Sequence, residues 1–362
     1  MFSLGSLFSR QSAPLLGVDI SSSSVKLVEL GRHASGQLLL AHCGQELLQP
    51  GWVQDGQIDK FDEVVEAVRR LVRRSGSKAR HVAMALPASS VISRKIRLPA
   101  GLSEADLELQ VEAEANQYIP FPMDEVNLDF CTIGPNAMSV DEIDVMIAVS
   151  RKEKVQDMLG LAEAAGLKLS VLDVQTYALR RAAARLIADL PMPPPPSAAA
   201  IVALIEISSR TTRLQVLQGE ELLYERDQAF GGAELTELIV RQYGFALEEA
   251  ESRKRSGNLP DDYARSVLEP FLASAVQEVG RALQFFFSST QHSQVDHILL
   301  AGGASAVPGL AAALHKQTGF ACTVAHPFQG MDLGSRAVDD RRAIDMPSYL
   351  PACGLALRRF AA

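Results

Sequence analysis

Apolar positions fall in short runs, and the way each run alternates predicts its element. Leu15–Ile20 (LLGVDI) is almost continuously apolar, the pattern of a strand buried on both faces. Four serines, Ser21–Ser24, break the run; VKLVEL then alternates, and a turn at Gly36 leads into QLLLAHC. A hairpin followed by more sheet is predicted. Over Glu63–Arg74, Val64, Val65, Val68, Leu71 and Val72 fall on one helical stripe. HVAMAL is a further strand, ended by Pro87.

Between Ser89 and Gly166 the rhythm changes. VISRKIRL alternates like a half-exposed strand. SEADLELQVEAEANQY opens on Ser103 with Asp106 three residues on, a weaker capping box, and puts Leu107, Val111 and Tyr118 on one helix face. Pro120 and Pro122 make IPFPMDEV irregular. Asn127–Ile133 and Glu142–Val149 read as strands, and Lys152–Ala165 as a helix stopped by Gly166. This is a small α+β subdomain set inside the first domain. LKLSVLDV resumes a strand, and Thr176–Asp189 reads as a helix.

Pro191 and Pro193–Pro196 form a stiff break. Such a run suits a surface loop or a domain junction; a new strand pattern, AIVALIEI, begins directly after it and favours the junction. The second half runs through SSRTT, RLQVLQ, a GEE turn and LLYER, another hairpin-bearing sheet. Helices follow near Glu234–Tyr243 and Leu247–Arg255, then a long one over Phe271–Ser288. HILLAGG is a strand ending in a glycine turn, Pro308 opens a helix in PGLAAALHKQTG, and Ser348–Phe360 suggests a terminal helix. The expected organisation is a leader at 1–13, domain I at 14–190 with the insert at about 89–166, and a Pro-rich linker at 191–197. Domain II follows at 198–345, then a C-terminal helix at 346–362.

Composition narrows the function classes. The 362 residues exceed the roughly 250–300 at which single cores stop growing, so two domains are expected. With 47% hydrophobic and 22% charged residues, disordered and fibrous chains are excluded. A net charge of −8 argues against a nucleic-acid partner. Cys43, Cys131, Cys322 and Cys353 have no CxxC spacing; they read as core fillers in a reducing compartment, with no zinc site. No apolar run reaches the ~18–20 residues of a membrane span, and MFSLGSLFSR lacks the basic start and cleavage site of a signal peptide.

The chain repeats itself. DISSSSVKLVEL (Asp19–Leu30) aligns without a gap on EISSRTTRLQVL (Glu206–Leu217). Asp19 meets Glu206, Ser21 and Ser22 meet Ser208 and Ser209, Ser24 meets Thr211, and Lys26 meets Arg213. Each copy is an apolar strand, an acid, a small hydroxyl turn and a second strand. A tight turn of small residues exposes backbone N–H groups that cradle phosphate oxygens, and Lys26 supplies a point charge. An acid there repels phosphate unless a cation lies between, and Mg²⁺ held through water suits one or two carboxylates. An acid before a serine turn also simply caps the turn; the doubling is what favours a phosphate clamp. In ILLAGGASAVPGL, Gly302–Gly303 leaves room for a flat ligand.

Two duplicated hairpin domains with a late AGG turn resemble the actin-like ATPase superfamily: an α/β fold of two duplicated domains, here with an FtsA-like α+β subdomain in the first. Within it, LLGVDISSSSVKLVEL, EANQYIPFP, LDVQTYALRRA, YERDQAFGGAELT, RALQFFFSSTQHSQVDHILLAGGASAVPGL and ACGLALR are similar to the PilM family of type IV pilus assembly proteins. The resemblance implies ATP or ADP with Mg²⁺ between the two domains. Asp19, Ser21, Ser22, Ser23 and Lys26 match the first phosphate motif, and Glu206, Ser208, Ser209 and Thr211 the second. Asp19 and Glu206 would hold Mg²⁺ through water. Gln175 matches a residue that positions the attacking water. Gly302, Gly303 and Ala304 match the adenosine motif, Glu251 and Lys254 lie where relatives touch the nucleoside, and Gly231 and Gly232 match a glycine pair near the nucleotide.

The implied partner is the cytoplasmic N-terminal tail of the inner-membrane protein PilN. The pilus assembly ATPases and other copies of the chain are implied too. The protein would be cytoplasmic and peripheral at the inner membrane, touching it only through PilN. Two departures bear on chemistry: Ser21 and Ser208 stand where the family pattern has glycine, and Glu206 where it has aspartate. A misplacement near 1 Å costs catalysis about 10²-fold, so slow or absent ATPase activity is expected.

Tyr118, Ile119, Pro120 and Phe121 put apolar bulk on a proline-stiffened segment. That suits a peptide groove, and equally packing of the insert on its domain. Of Phe285–Phe287, two are expected in the core and one at a domain junction. Two other functions keep the same fold: a small-molecule kinase, which needs an acceptor-side carboxylate that no motif supplies, and an FtsA-like polymerising membrane tether.

Overall fold

The computed structural model describes residues 13–54, 56–136, 138–190, 199–219, 221–334 and 346–360. The Pro-rich linker and most of the expected leader lie outside the described residues. Contacts group the chain into two compact units: residues 13–30, 42–178 and 355–360, and residues 31–41 and 179–354.

The first unit begins with β1 (Leu15–Ile20), β2 (Ser24–Arg32) and β3 (Leu38–Leu47), followed by the small pair β4 (Val53–Gln54) and β5 (Gln57–Ile58). Helix α1 (Phe61–Ser75) and β6 (His81–Leu86) follow. The insert holds β7 (Val91–Pro99), α2 (Glu104–Ala115), β8 (Val126–Pro135) and β9 (Glu142–Arg151); then come α3 (Lys152–Ala164), β10 (Lys168–Val174) and α4 (Gln175–Ala188), which from Leu179 on is grouped with the second unit. The main sheet runs β10-β6-β1-β2-β3, parallel from β10 to β1 and antiparallel from β1 to β2, with the two-residue strand Asp332–Leu333 parallel to β3 at its edge. Val64, Val65, Val68 and Leu71 of α1 cover one face with Met158, Leu161 and Ala162 of α3. The insert is a separate sheet, β7-β9-β8, with its own core of Ile96, Val111, Val145 and Ile147. Helix α3, grouped with the insert on sequence pattern, packs in the main core instead.

The second unit holds β11 (Ile201–Ile207), β12 (Thr212–Gln218), β13 (Glu221–Gln228), α5 (Gly232–Tyr243), α6 (Leu247–Ser256) and α7 (Glu269–Ser289). A turn of π-helix, Ala264–Leu268, leads into α7. Next come β14 (His297–Ala301), α8 (Leu310–Thr318), β15 (Ala321–Val324) and β16 (Asp332–Leu333). The last helix is α9 (Leu350–Leu357), whose end from Leu355 is grouped with the first unit. The sheet order is β13-β12-β11-β14-β15, with β11, β14 and β15 parallel. This is the topology of the first unit: a meander of three strands, then two parallel additions. The sequence repeat is thus a repeat of whole sheets.

Several local expectations change. Helix α2 ends at Ala115, so Tyr118 lies beyond it and shares no face with Val111. The Ser103 cap holds, its Oγ accepting from the Asp106 N–H at 3.2 Å. Pro308 precedes the cap residue Gly309, whose φ of 86° turns the chain into α8, so proline is outside the helix. Cys43 and Cys353 are core fillers, but Cys131 is exposed because it sits on an outward position of β8; all four are free thiols. Phe286 is buried and Phe287 packs on the core, while Phe285 is exposed beneath the Arg226 guanidinium, 3.8 Å from its ring centre. Among the described residues, no helix is long and apolar enough to cross a membrane.

Candidate functional site

In the first unit Asp19, Ser21, Ser22, Ser23 and Lys26 sit on one hairpin. Antiparallel register puts Asp19 opposite Lys26, both buried. Burial pushes the Asp19 carboxyl above the usual carboxylate range, and the Lys26 charge opposes that. The turn closes with the Ser21 N–H donating to the Ser24 carbonyl at 2.9 Å. The Ser21 hydroxyl donates to that same oxygen at 2.9 Å, and Lys26 Nζ donates to Ser24 Oγ at 2.8 Å. Ser21 and Ser24 therefore shape the loop, as the turn-capping alternative requires. Among the described residues the backbone N–H groups of Ser22 and Ser23 donate to no other backbone group.

The second hairpin repeats the device. Glu206 stands opposite Arg213, and the Ser208 N–H donates to the Thr211 carbonyl at 2.8 Å. Arg213 differs from Lys26 in what it does next. Its guanidinium forks onto Asp227, Nε to Oδ1 at 2.7 Å and the terminal nitrogen to Oδ2 at 2.8 Å, and lies 3.8 Å from Glu206 Oε2. A planar fork held by two carboxylates is a fixed charge, whereas an ammonium is a point donor.

Glycine is demanded around this second turn by backbone contact. The Gly232 and Ala233 N–H groups donate to the Ser208 and Ser209 carbonyls at 2.9 and 2.8 Å, seating the start of α5 on the turn. A Cβ at Gly231 would fall 2.4 Å from the Ser209 oxygen. Gly302, with φ of 82°, would bring its Cβ 2.4 Å from the Ile207 oxygen. The AGG turn is therefore pressed onto the end of β11, and Ala304 lies beside Gly232, where an added Cβ would be 3.1 Å from it. Gly303 begins the short 3-10 turn Gly303–Ala306.

Glu251 and Lys254 of α6 meet α5 here. Lys254 Nζ lies 2.6 Å from Glu251 Oε2 and donates to Thr236 Oγ1 at 2.7 Å, while the Thr236 hydroxyl donates to Glu251 at 2.7 Å. Burial raises the Glu251 carboxyl, but Lys254 and these donors prevail and hold it down to about 2. Lys254 also reaches the Gly232 carbonyl at 3.5 Å. The second unit thus brings Ser208, Ser209, Gly231, Gly232, Gly302, Ala304, Glu251 and Lys254 into one neighbourhood.

Gln175 is the first residue of α4, directly after β10. The Tyr118–Phe121 segment lies in the insert: Ile119 is buried in its core, while Tyr118 and Phe121 lie under Arg94 and Arg151, 3.7 and 4.0 Å from the ring centres. Sequence reading missed Thr236 and Asp227. The alignment of Arg213 with Lys26 was visible, but the strand partner Asp227 was not. Among the described residues no cluster of His, Cys, Asp and Glu with metal-binding geometry occurs. For Mg²⁺-phosphate, the unspent N–H groups of the first turn and the Asp19–Lys26 pair fit; the chemistry of water-mediated magnesium suits one buried carboxylate.

Comparison with solved structures agrees with this architecture. One similar chain belongs to a PilM–PilN type IV pilus biogenesis complex: 28% identical, TM-score 0.77, covering 96% of this chain and 99% of that one. The ethanolamine utilization protein EutJ from Carboxydothermus hydrogenoformans is 16% identical with a TM-score of 0.56, covering 94% and 88%. The fold is the mixed α/β actin-like ATPase fold. Residues 17–360 match the family model for type IV pilus assembly protein PilM, and the chain belongs to that family.

Proposed function

We propose that the chain is a nucleotide-binding scaffold of the type IV pilus assembly complex, cytoplasmic and peripheral at the inner membrane. In this reading it recruits the N-terminal tail of PilN, couples to the pilus assembly ATPases and meets other copies of itself. The observation that carries the nucleotide half is the doubled hairpin, each with an acid opposite a cation across the same turn bond. The partner half is supported by the PilN present in the similar solved complex.

Asp19 and Glu206 would hold Mg²⁺ through water; bound Mg²⁺ with ATP or ADP supplies the charge that both acids need. Ser22 and Ser23 would bind phosphate oxygens by backbone N–H, with Ser208, Ser209 and Thr211 as the second half and Lys26 as the point charge. Gly302, Gly303 and Ala304 would face the adenosine, beside Glu251 and Lys254. Gly231 and Gly232 act by seating α5. Gln175 would orient a water, but serine at both glycine positions and the longer Glu206 arm favour binding over hydrolysis. Nucleotide closure biases the Tyr118–Phe121 groove through contacts that differ between open and closed states.

The test has two arms. Nucleotide copurifying with the chain is expected, and its loss in Asp19→Ala; equal retention in both refutes the site. A PilN tail peptide is then titrated with and without Mg-ATP, and equal affinities refute the coupling while leaving the scaffold.

A further inference from the structure

The first unit carries a basic pocket that the nucleotide reading does not use. It is a cavity of about 450 Å³ where the carboxyl ends of α1 and α3 meet, lined by Arg69, Arg73 and Arg80 with Val72, Ser77 and Gly166 among its walls. No acidic side chain lines it, in a chain whose net charge is −8. The arginines come from a dense run: Arg69, Arg70, Arg73, Arg74, Lys78 and Arg80.

Structural duties account for part of this charge. Arg70 and Arg74 pair with Glu46, at 2.9 and 2.8 Å. Arg69 spans Glu66 and the Ala164 carbonyl, so it caps α3. Helix carboxyl ends attract cations. The α1 end is closed by the Gly76 N–H on the Arg73 carbonyl and by Ser75 Oγ on Val72. Arg80 donates one bond, to its neighbour's carbonyl at 3.0 Å. The exposed Arg73 guanidinium makes no hydrogen bond or ion pair among the described residues. The Arg73 and Arg80 guanidiniums thus line the cavity with no carboxylate partner among the described residues. Ser77 Oγ is spent on Glu29 at 2.6 Å, so among the lining side chains the arginines are what remains to meet an anion.

We infer that this pocket binds a compact phosphoryl anion, through forked bonds from Arg73 and Arg80 with Arg69 at the wall. The walls hold no aromatic ring, so recognition is of phosphate groups and not of a base. A free di- or polyphosphate and an anionic lipid headgroup share that chemistry.

The test uses the full chain in EDTA, where the proposed Mg²⁺-dependent site at the serine turns does not operate. Pyrophosphate is titrated calorimetrically into wild type, Arg73→Gln and the double variant Arg73→Gln/Arg80→Gln. Saturable binding at one site is expected, weakened at least tenfold in the double variant while its thermal melt is unchanged. Should the double variant misfold, Arg73→Gln alone, on an exposed helix position, carries the comparison with a several-fold loss. Sedimentation with phosphatidylglycerol vesicles separates the sources: arginine-dependent capture identifies a headgroup, and pyrophosphate binding without capture identifies a free anion. No saturable binding of either probe, or binding indifferent to both variants, overturns the inference.

Discussion

Asp19 and Lys26 are cross-strand partners, both buried, on the first hairpin. A carboxylate buried alone would be costly, and the ammonium on the facing strand offsets that cost. A carboxyl raised by burial costs stability increasingly as pH climbs above its unfolded value, and Lys26 limits that cost. Lys26→Met removes the offset. Urea denaturation should show a loss approaching the roughly 3–5 kcal/mol of a broken buried pair at pH 8. The loss should be smaller at pH 5, where Asp19 takes a proton more readily. A pH-independent loss would mean that Lys26 acts by packing alone.

Gly302 and Gly280 are predicted to respond in opposite directions to alanine. At Gly302 both the φ of 82° and the Ile207 oxygen, 2.4 Å from a Cβ, oppose the change. A loss of at least about 2 kcal/mol is expected. Gly280 lies within α7, and a Cβ there meets nothing within 4 Å. Alanine should stabilise it by about 0.5–1 kcal/mol. Thermal melts of the two variants check this, and a tolerant Gly302 would remove the AGG turn from the packing of β11.

Strand patterns, the duplication and the helical stripes were legible in the sequence because each depends on neighbours in the chain. The Ser103 cap was legible for the same reason. What escaped depended on distant partners. The Thr236–Glu251–Lys254 cluster forms only once α5 and α6 pack, and Arg213 gains its meaning only from Asp227 on the next strand. The packing reason for Gly302 was also hidden: a Cβ there would meet the Ile207 backbone, a contact between distant residues. Strands β4, β5 and β16, two residues each, are too short to leave a period.

The Glu251 cluster makes a pH prediction with a definite sign. Its folded pKa of about 2 lies below the ordinary 4.5, so its contribution is present above about 4.5 and lost as pH falls toward 2. The midpoint of thermal unfolding should therefore fall across that window in wild type and fall less steeply in Glu251→Gln. Parallel curves would place the acid sensitivity elsewhere.

The proline-stiffened segment of the insert separates packing from recognition residue by residue. Ile119 is buried among Val111, Val145 and Ile147, so Ile119→Ala should cost about 2–5 kcal/mol. Tyr118 is exposed beneath Arg94, and Phe121, partly buried against the same core, has its ring under Arg151; a ring and a guanidinium together offer a peptide both apolar area and charge. Phe121→Ala and Tyr118→Ala should each weaken a PilN tail peptide about tenfold while shifting the melt far less than Ile119→Ala does. If affinity follows stability across the three variants, the segment is packing and the peptide binds elsewhere. If affinity falls only for the two rings under arginines, the arginine-covered face is the recognition surface, and adding Arg94→Ala or Arg151→Ala should reproduce part of the loss.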